Sequence, residues 1–171
     1  MPDYPSNVAF TPTVKRIQAE KGSRSTYAKL EQGRGWRTRV TPELVAFMAG
    51  LDMFYLGTAT ADGQPYIQYR GGPPGFLKVL DETTLAFADF GGNRQYLSVG
   101  NLSENPKAFL FLMDYAEQRR IKIWGRARVE GVKGSPRRIV FEVEAWDINC
   151  PQHIPRKYDA EEVEALLASG R

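Results

Sequence analysis

Apolar residues recur at two different periods along the 171-residue chain, and the period changes near Met53. Upstream, Thr11-Pro12 and Thr41-Pro42 each set a threonine N-cap before a proline at the first helical turn. The first signal predicts a helix with Val14 and Ile17 on one face, stopped at Gly22. Residues 22–40 have weak periodicity and three glycines, which predicts a short helix and then an irregular connection. After Thr41, the positions of Leu44, Val45, Phe47, Met48 and Leu51 predict an amphipathic helix ending near Gly50. Beyond Met53 the period is that of strands. Runs at 53–60 and 65–70 flank an Asp62-Gly63 hairpin signal, and runs at 76–81 and 84–89 form a second pair. Three longer runs follow at 107–115, 119–131 and 137–148. Residues 93–102 read as a helix with Tyr96, Leu97 and Val99 inward, and Asn105-Pro106 as a turn. A last helix opens on Asp159, with Glu162 completing a capping box and Val163, Leu166 and Leu167 on one face. Six or seven strands at even hairpin spacing, with few helices between them, imply an antiparallel sheet closed on itself. An open sheet of that length would leave costly edges. The fold class is mainly β (α+β).

Composition narrows the picture without changing it. The length suits one domain, and the apolar and charged fractions are those of a globular protein. No apolar run reaches the roughly 20 residues of a membrane helix, so no membrane role is expected. No secretory leader is visible, and a single cysteine, Cys150, fits a reducing compartment. A soluble, cytoplasmic protein is expected. The net charge of +3 is uneven: residues 1–40 carry eight Lys/Arg against three Asp/Glu, and the remainder 15 against 17. We therefore divide the chain into a basic N-terminal arm with a short helix (1–40) and a barrel domain (41–171). A basic arm can serve nucleic acid, but no helix-turn-helix, zinc or RNP-like pattern accompanies it.

The chemistry concentrates between Gln68 and Arg94 (QYRGGPPGFLKVLDETTLAFADFGGNR). Arg70 ends a strand, Gly71, Gly72, Pro73 and Pro74 bend the chain, and Gly91-Gly92-Asn93-Arg94 leads toward a helix. Glycine-exposed amides and arginines brought to the same strand ends make a seat for an oxyanion, with phosphate the natural ligand. The same residues also suit a Gly/Pro-rich barrel corner with solvated arginines.

These residues carry a resemblance. Arg70-Gly71-Gly72-Pro73-Pro74-Gly75-Phe76, the Asp81…Thr84-Leu85-Ala86-Phe87 hairpin, Gly92-Asn93-Arg94, Gly100-Asn101-Leu102 with Asn105-Pro106, the strand 119–125 and the tail 149–153 resemble the FMN-binding split-barrel superfamily of pyridoxamine 5'-phosphate oxidase, in its predicted flavin-nucleotide-binding branch. The likeness spans roughly residues 41–155. It implies a six- to seven-stranded antiparallel split β-barrel with flanking short helices, working as a homodimer with FMN at the interface. It implies Arg70 and Arg94 on the phosphate beside Asn93, Phe87 and Ala88 along the ribityl chain, and Gly71 and Gly72 beneath the isoalloxazine. Arg120 stands where the oxidase has a glutamine near the flavin, and a cation there would favour an anionic reduced ring. The oxidase's C-terminal substrate-phosphate arginine motif has no counterpart, which speaks against pyridoxamine phosphate as substrate.

The remaining features are read more plainly. Of the charges on the long strand 119–131, Arg119 or Arg120 is assigned to the ligand and the others to solvent. The sole histidine, His153, builds no metal site and no metal is expected; with Cys150 it reads as a structural turn rather than a thiol nucleophile. Trp36, Trp124 and Trp146 are assigned to core or interface. The expected function is an FMN-dependent oxidoreductase transferring hydride or electrons to a small acceptor, with no obligatory side-chain acid or base. Alternatives are a non-catalytic flavin- or haem-binding module, a related cofactor such as a deazaflavin, and a nucleic-acid-associated basic protein.

Overall fold

The structure, a computed structural model, describes residues 3–33, 35–90, 94–131, 137–149 and 151–170, with the main chain alone at residue 149. Asn93 and Cys150, both singled out above, lie outside the described residues.

Seven strands form one antiparallel sheet in the order β2-β1-β5-β6-β7-β4-β3. They are β1 (Met53–Ala59), β2 (Pro65–Gly71), β3 (Lys78–Val79), β4 (Thr84–Ala88), β5 (Lys107–Asp114), β6 (Arg119–Glu130) and β7 (Arg138–Asn149). Five helices flank them: α1 (Pro12–Glu20), α2 (Arg24–Gln32), α3 (Pro42–Ala49), α4 (Leu97–Glu104) and α5 (Ala160–Ala168). Among the described residues no helix is long and apolar enough to cross a membrane. The inner face carries Phe54, Leu56, Leu110, Leu112, Ile121, Ile123, Ile139, Phe141 and Leu85, all essentially buried. α3 closes the core with Leu44, Phe47 and Met48. The barrel is split between β2 and the β4–β3 pair, the two sheet edges.

Both threonine caps form as expected: Thr11 and Thr41 Oγ1 accept from Val14 N and Leu44 N at 3.3 Å. The capping box at Asp159 is also complete. Four details differ from the expectation. β3 shrinks to two residues, because the turn from Pro73 closes with Phe76 N donating to Pro73 O at 2.9 Å and a bend follows at Leu77, taking the start of its run. α4 starts at Leu97, since Arg94 and Tyr96 take left-handed backbone (φ 60° and 55°), and its buried residues are Ser98, Asn101 and Leu102 rather than Tyr96 and Leu97. α1 buries Gln18 and leaves Ile17 exposed. α5 buries no residue, and Val163 and Leu167 on its apolar face are exposed.

The buried face of α1 follows a charge cluster. Glu31, whose side chain has no exposed area, accepts from Ser6 Oγ at 2.8 Å, pairs with Lys15 at 3.0 Å, and pairs closely with Arg24. Burial pushes its carboxyl pKa up, but the bonds from Arg24, Lys15 and Ser6 together outweigh it and the net shift is downward. A depressed carboxyl stabilises the fold above its unfolded pKa of about 4.3, and that contribution is lost as pH falls through the folded value. Glu31→Gln should cost about 1–3 kcal/mol at neutral pH, the scale of charged partners left unpaired. In guanidinium titrations the gap between wild type and variant should close below pH ~4. A gap that persists undiminished there would mean that charge is not what the cluster contributes.

Candidate functional site

β2 is built inside out. Its inward positions, opposite Thr58, Leu56 and Phe54 of β1, are Tyr66, Gln68 and Arg70. Its outward positions, Ile67 and Tyr69, are 69% and 60% exposed. A strand at the split thus turns a polar row into the barrel and an apolar one out. Apolar Tyr55, Phe109 and Phe111 share that outer face on β1 and β5, half-buried.

The polar row lines a cavity of about 130 Å³ with Asp89, Phe90, Arg94, Arg137 and the N-terminal turn of α4. At about 30 Å³ per water, that is room for a group of four waters' bulk. Arg70 Nη1 donates to Asp89 Oδ1 at 2.9 Å, and Nη2 donates to Gln68 Oε1 at 3.2 Å. Ser98 Oγ donates to the same Gln68 oxygen at 2.7 Å, tying α4 to β2. Arg137, immediately before β7, approaches Asp89 Oδ2 to 3.1 Å and lies over the Tyr96 ring at 5.3 Å. Asn101 Nδ2 donates to Thr58 Oγ1 at 2.9 Å and fixes the helix from below. Leu97, Ser98 and Val99 form the cavity wall at the α4 N-terminus, where the first amides have no intrahelical acceptor. Three guanidiniums, a hydroxyl and a helix N-terminus thus line the same cavity as one carboxylate, which Arg70 and Arg137 pair with directly. Arg70 Nε is buried with no hydrogen-bond partner among the described residues. An oxyanion fits this donor set; a cation does not.

Phe90 and Arg137 are shared with a neighbouring groove of about 450 Å³, lined by Pro73, Pro74, Phe76, Leu80, Phe87 and Ala88 among others. The missing side chains of Gly71 and Gly72 permit close packing: a Cβ at either would come within 2.8 Å of the Tyr69 or Phe76 ring.

Of the residues expected at a ligand, Arg70 and Arg94 line the cavity and Phe87 and Ala88 line the groove, while Gly71 and Gly72 line neither and stand in the chain between Arg70 and the groove's Pro73. Arg119 and Arg120 do not line either. Arg119 lies over the Phe47 ring at 5.0 Å, at the end of the barrel interior. Arg120 alternates with buried Ile121 and so faces outward beside Lys122. Desolvation, opposed by Asp147 and reinforced by Arg120, holds the Lys122 ammonium pKa below its ordinary value. Among the described residues no cluster of three His, Cys, Asp or Glu could hold a metal. Tyr66, Gln68, Asp89, Ser98 and Arg137 are not among the ligand residues expected from the sequence. For Tyr66 and Gln68 the signal was available, since period two from Arg70 places them on one face.

The family model of pyridoxamine 5'-phosphate oxidase matches residues 40–146. No curated protein matches the sequence. Among solved structures, a variant of HupZ from Group A Streptococcus is 18% identical with a TM-score of 0.52, over 64% of this chain and 99% of that one. A Lactobacillus delbrueckii protein provisionally named a pyridoxamine 5'-phosphate oxidase is also 18% identical, with a TM-score of 0.51, over 64% and 94%. A Clostridium acetobutylicum protein related to general stress protein 26 is 15% identical, with a TM-score of 0.51, over 71% and 94%. At such identities the structural likeness is one of fold, and the sequence match carries the assignment. With its split barrel and its match over residues 40–146, the chain belongs to the pyridoxamine 5'-phosphate oxidase family.

Proposed function

We propose that the protein is an FMN-dependent oxidoreductase, active as a cytoplasmic homodimer, that passes hydride or electrons to a small acceptor. The observation that carries this reading is the inward polar row of β2 meeting Arg94, Arg137 and the α4 N-terminus around one phosphate-sized cavity. Arg70, Arg94 and Arg137 would hold the phosphate, Ser98 and the α4 amides would complete its shell, and the bend at Gly71–Gly72 with the apolar groove would receive the flat ring. Bound there, FMN supplies the redox chemistry, while the chain binds it, orients it and excludes water. The outward row of Ile67 and Tyr69, continued by Tyr55 and Phe111, supports a second copy of the chain covering that face. Arg120 and Lys122 lie on the outer barrel face as well, so the partner would be the source of any Arg120 contact with the ring.

The test is an absorption spectrum of freshly purified protein, mass spectrometry of the released chromophore, and sedimentation. The expected result is a two-band yellow dimer that releases FMN, with Ile67→Asp sedimenting as a colourless monomer. A colourless protein that takes up no added FMN would sink the reading.

A further inference from the structure

We infer that Asp89 is the resident counter-anion of this seat: it holds Arg70 and Arg137 in place in the empty protein and competes with the phosphate that arrives. The nature of the incoming anion rests on the flavin reading above; the competition itself does not.

Asp89 lies immediately beyond β4, with its side chain 6% exposed. Its position is fixed by the main chain, where its N–H donates to Arg137 O at 2.8 Å. The carboxylate faces Arg70 on one side and Arg137 on the other. Those two arginines differ in freedom, with side chains 12% and 40% exposed. Arg70 is the fixed half of the clamp, already bonded to Asp89 and Gln68, and Arg137 is the half able to swing. Asp89 Oδ2 meets the Arg137 guanidinium at ion-pair distance but makes no hydrogen bond among the described residues, as Arg70 Nε makes none. Donor capacity is therefore left over beside a carboxylate that only partly uses it.

An anion-binding cavity gains nothing in affinity from an acid in its wall, because a like charge a few ångströms away opposes the ligand. What the acid supplies is order in the unliganded state: two buried or half-buried guanidiniums without a counter-charge would repel each other across the split. Three cations less one anion leave a formal +2, enough to hold a phosphate monoester dianion without the grip of a +3 site. Such a site can bind and exchange its ligand.

The test is thermal unfolding of wild type and Asp89→Asn, titrated with inorganic phosphate at constant ionic strength. Asp89→Asn is expected to melt lower than wild type in chloride and to bind phosphate about tenfold or more tightly, so that its melting temperature rises more over the titration. Phosphate affinity unchanged or weaker in Asp89→Asn overturns the inference, as does absence of phosphate binding by both proteins. If the single variant does not fold, Arg70→Gln/Asp89→Asn removes both halves of the buried pair and leaves no orphan charge. It is expected to bind phosphate more tightly than Arg70→Gln alone, and equal or weaker binding overturns the competition. FMN compared with riboflavin in the same assay reports on the flavin reading separately, so the two can fail independently.

Discussion

Gly125→Ala is expected to unfold the barrel or leave it too unstable to purify in quantity. Gly125 sits at the register shift where β6 and β7 form a bulge after Trp124, opposite Val143. A Cβ built there would lie 2.0 Å from the Glu142 carbonyl oxygen and 2.5 Å from the Phe141 ring. The ring is fully buried and cannot swing aside, and the carbonyl belongs to the longest ladder of the sheet. Relief requires separating β6 from β7, so the cost should reach about 3 kcal/mol or more, at the upper end for overpacking. That is a large part of the 5–15 kcal/mol typical of a whole domain. Gly100→Ala is the control, because a Cβ there meets nothing within 4 Å and alanine favours the helix by about 0.5–1 kcal/mol. The two denaturant midpoints should move in opposite directions. A Gly125→Ala protein melting within a few degrees of wild type would show that the bulge can relax, contrary to this account.

Arg70→Ala should fail twice, once in stability and once in binding. It leaves Asp89 buried with only the half-exposed Arg137 as counter-charge, and breaking one side of a buried pair costs about 3–5 kcal/mol. Arg137 keeps this case at about 3. Arg70 also joins the β2 edge to the end of β4, so its loss releases a clasp across the split. On the flavin reading, FMN affinity should fall by a further ~1.5–3 kcal/mol, the worth of a charged hydrogen bond. Melting curves and quenching of flavin fluorescence separate the two effects. A destabilised Arg70→Ala that binds FMN as tightly as wild type would make Arg70 a clasp of the barrel and remove it from the ligand.

Much of this architecture was legible in the chain itself. Alternation at period two located the strands, the Asp62-Gly63 turn joined the first two, and the threonine-proline pairs began α1 and α3 where they are found. Half of the candidate site was legible too, since the Arg70 signature and the run ending at Arg94 supply two of the arginines that line one cavity. These are local signals: a side chain's face, a turn's φ and a cap depend on residues two to four positions apart. The companions of Arg70 were not legible, because Asp89 and Arg137 reach it only when β2 and β4, non-neighbours in the sheet, face each other across the split. The face that α4 buries was decided in the same way. Its N-cap takes left-handed backbone at Tyr96, which turns Ser98 and Asn101 onto Gln68 and Thr58 and sends Tyr96 and Leu97 outward. α1 buries Gln18 rather than Ile17 next to the Glu31 cluster, where Arg24 Nη1 donates to Gln18 Oε1 at 3.0 Å, and no periodicity in α1 announces a carboxylate from α2. Sequence alone determined the strands and two of the cations. Closure of the split, a long-range event, decided which charges meet.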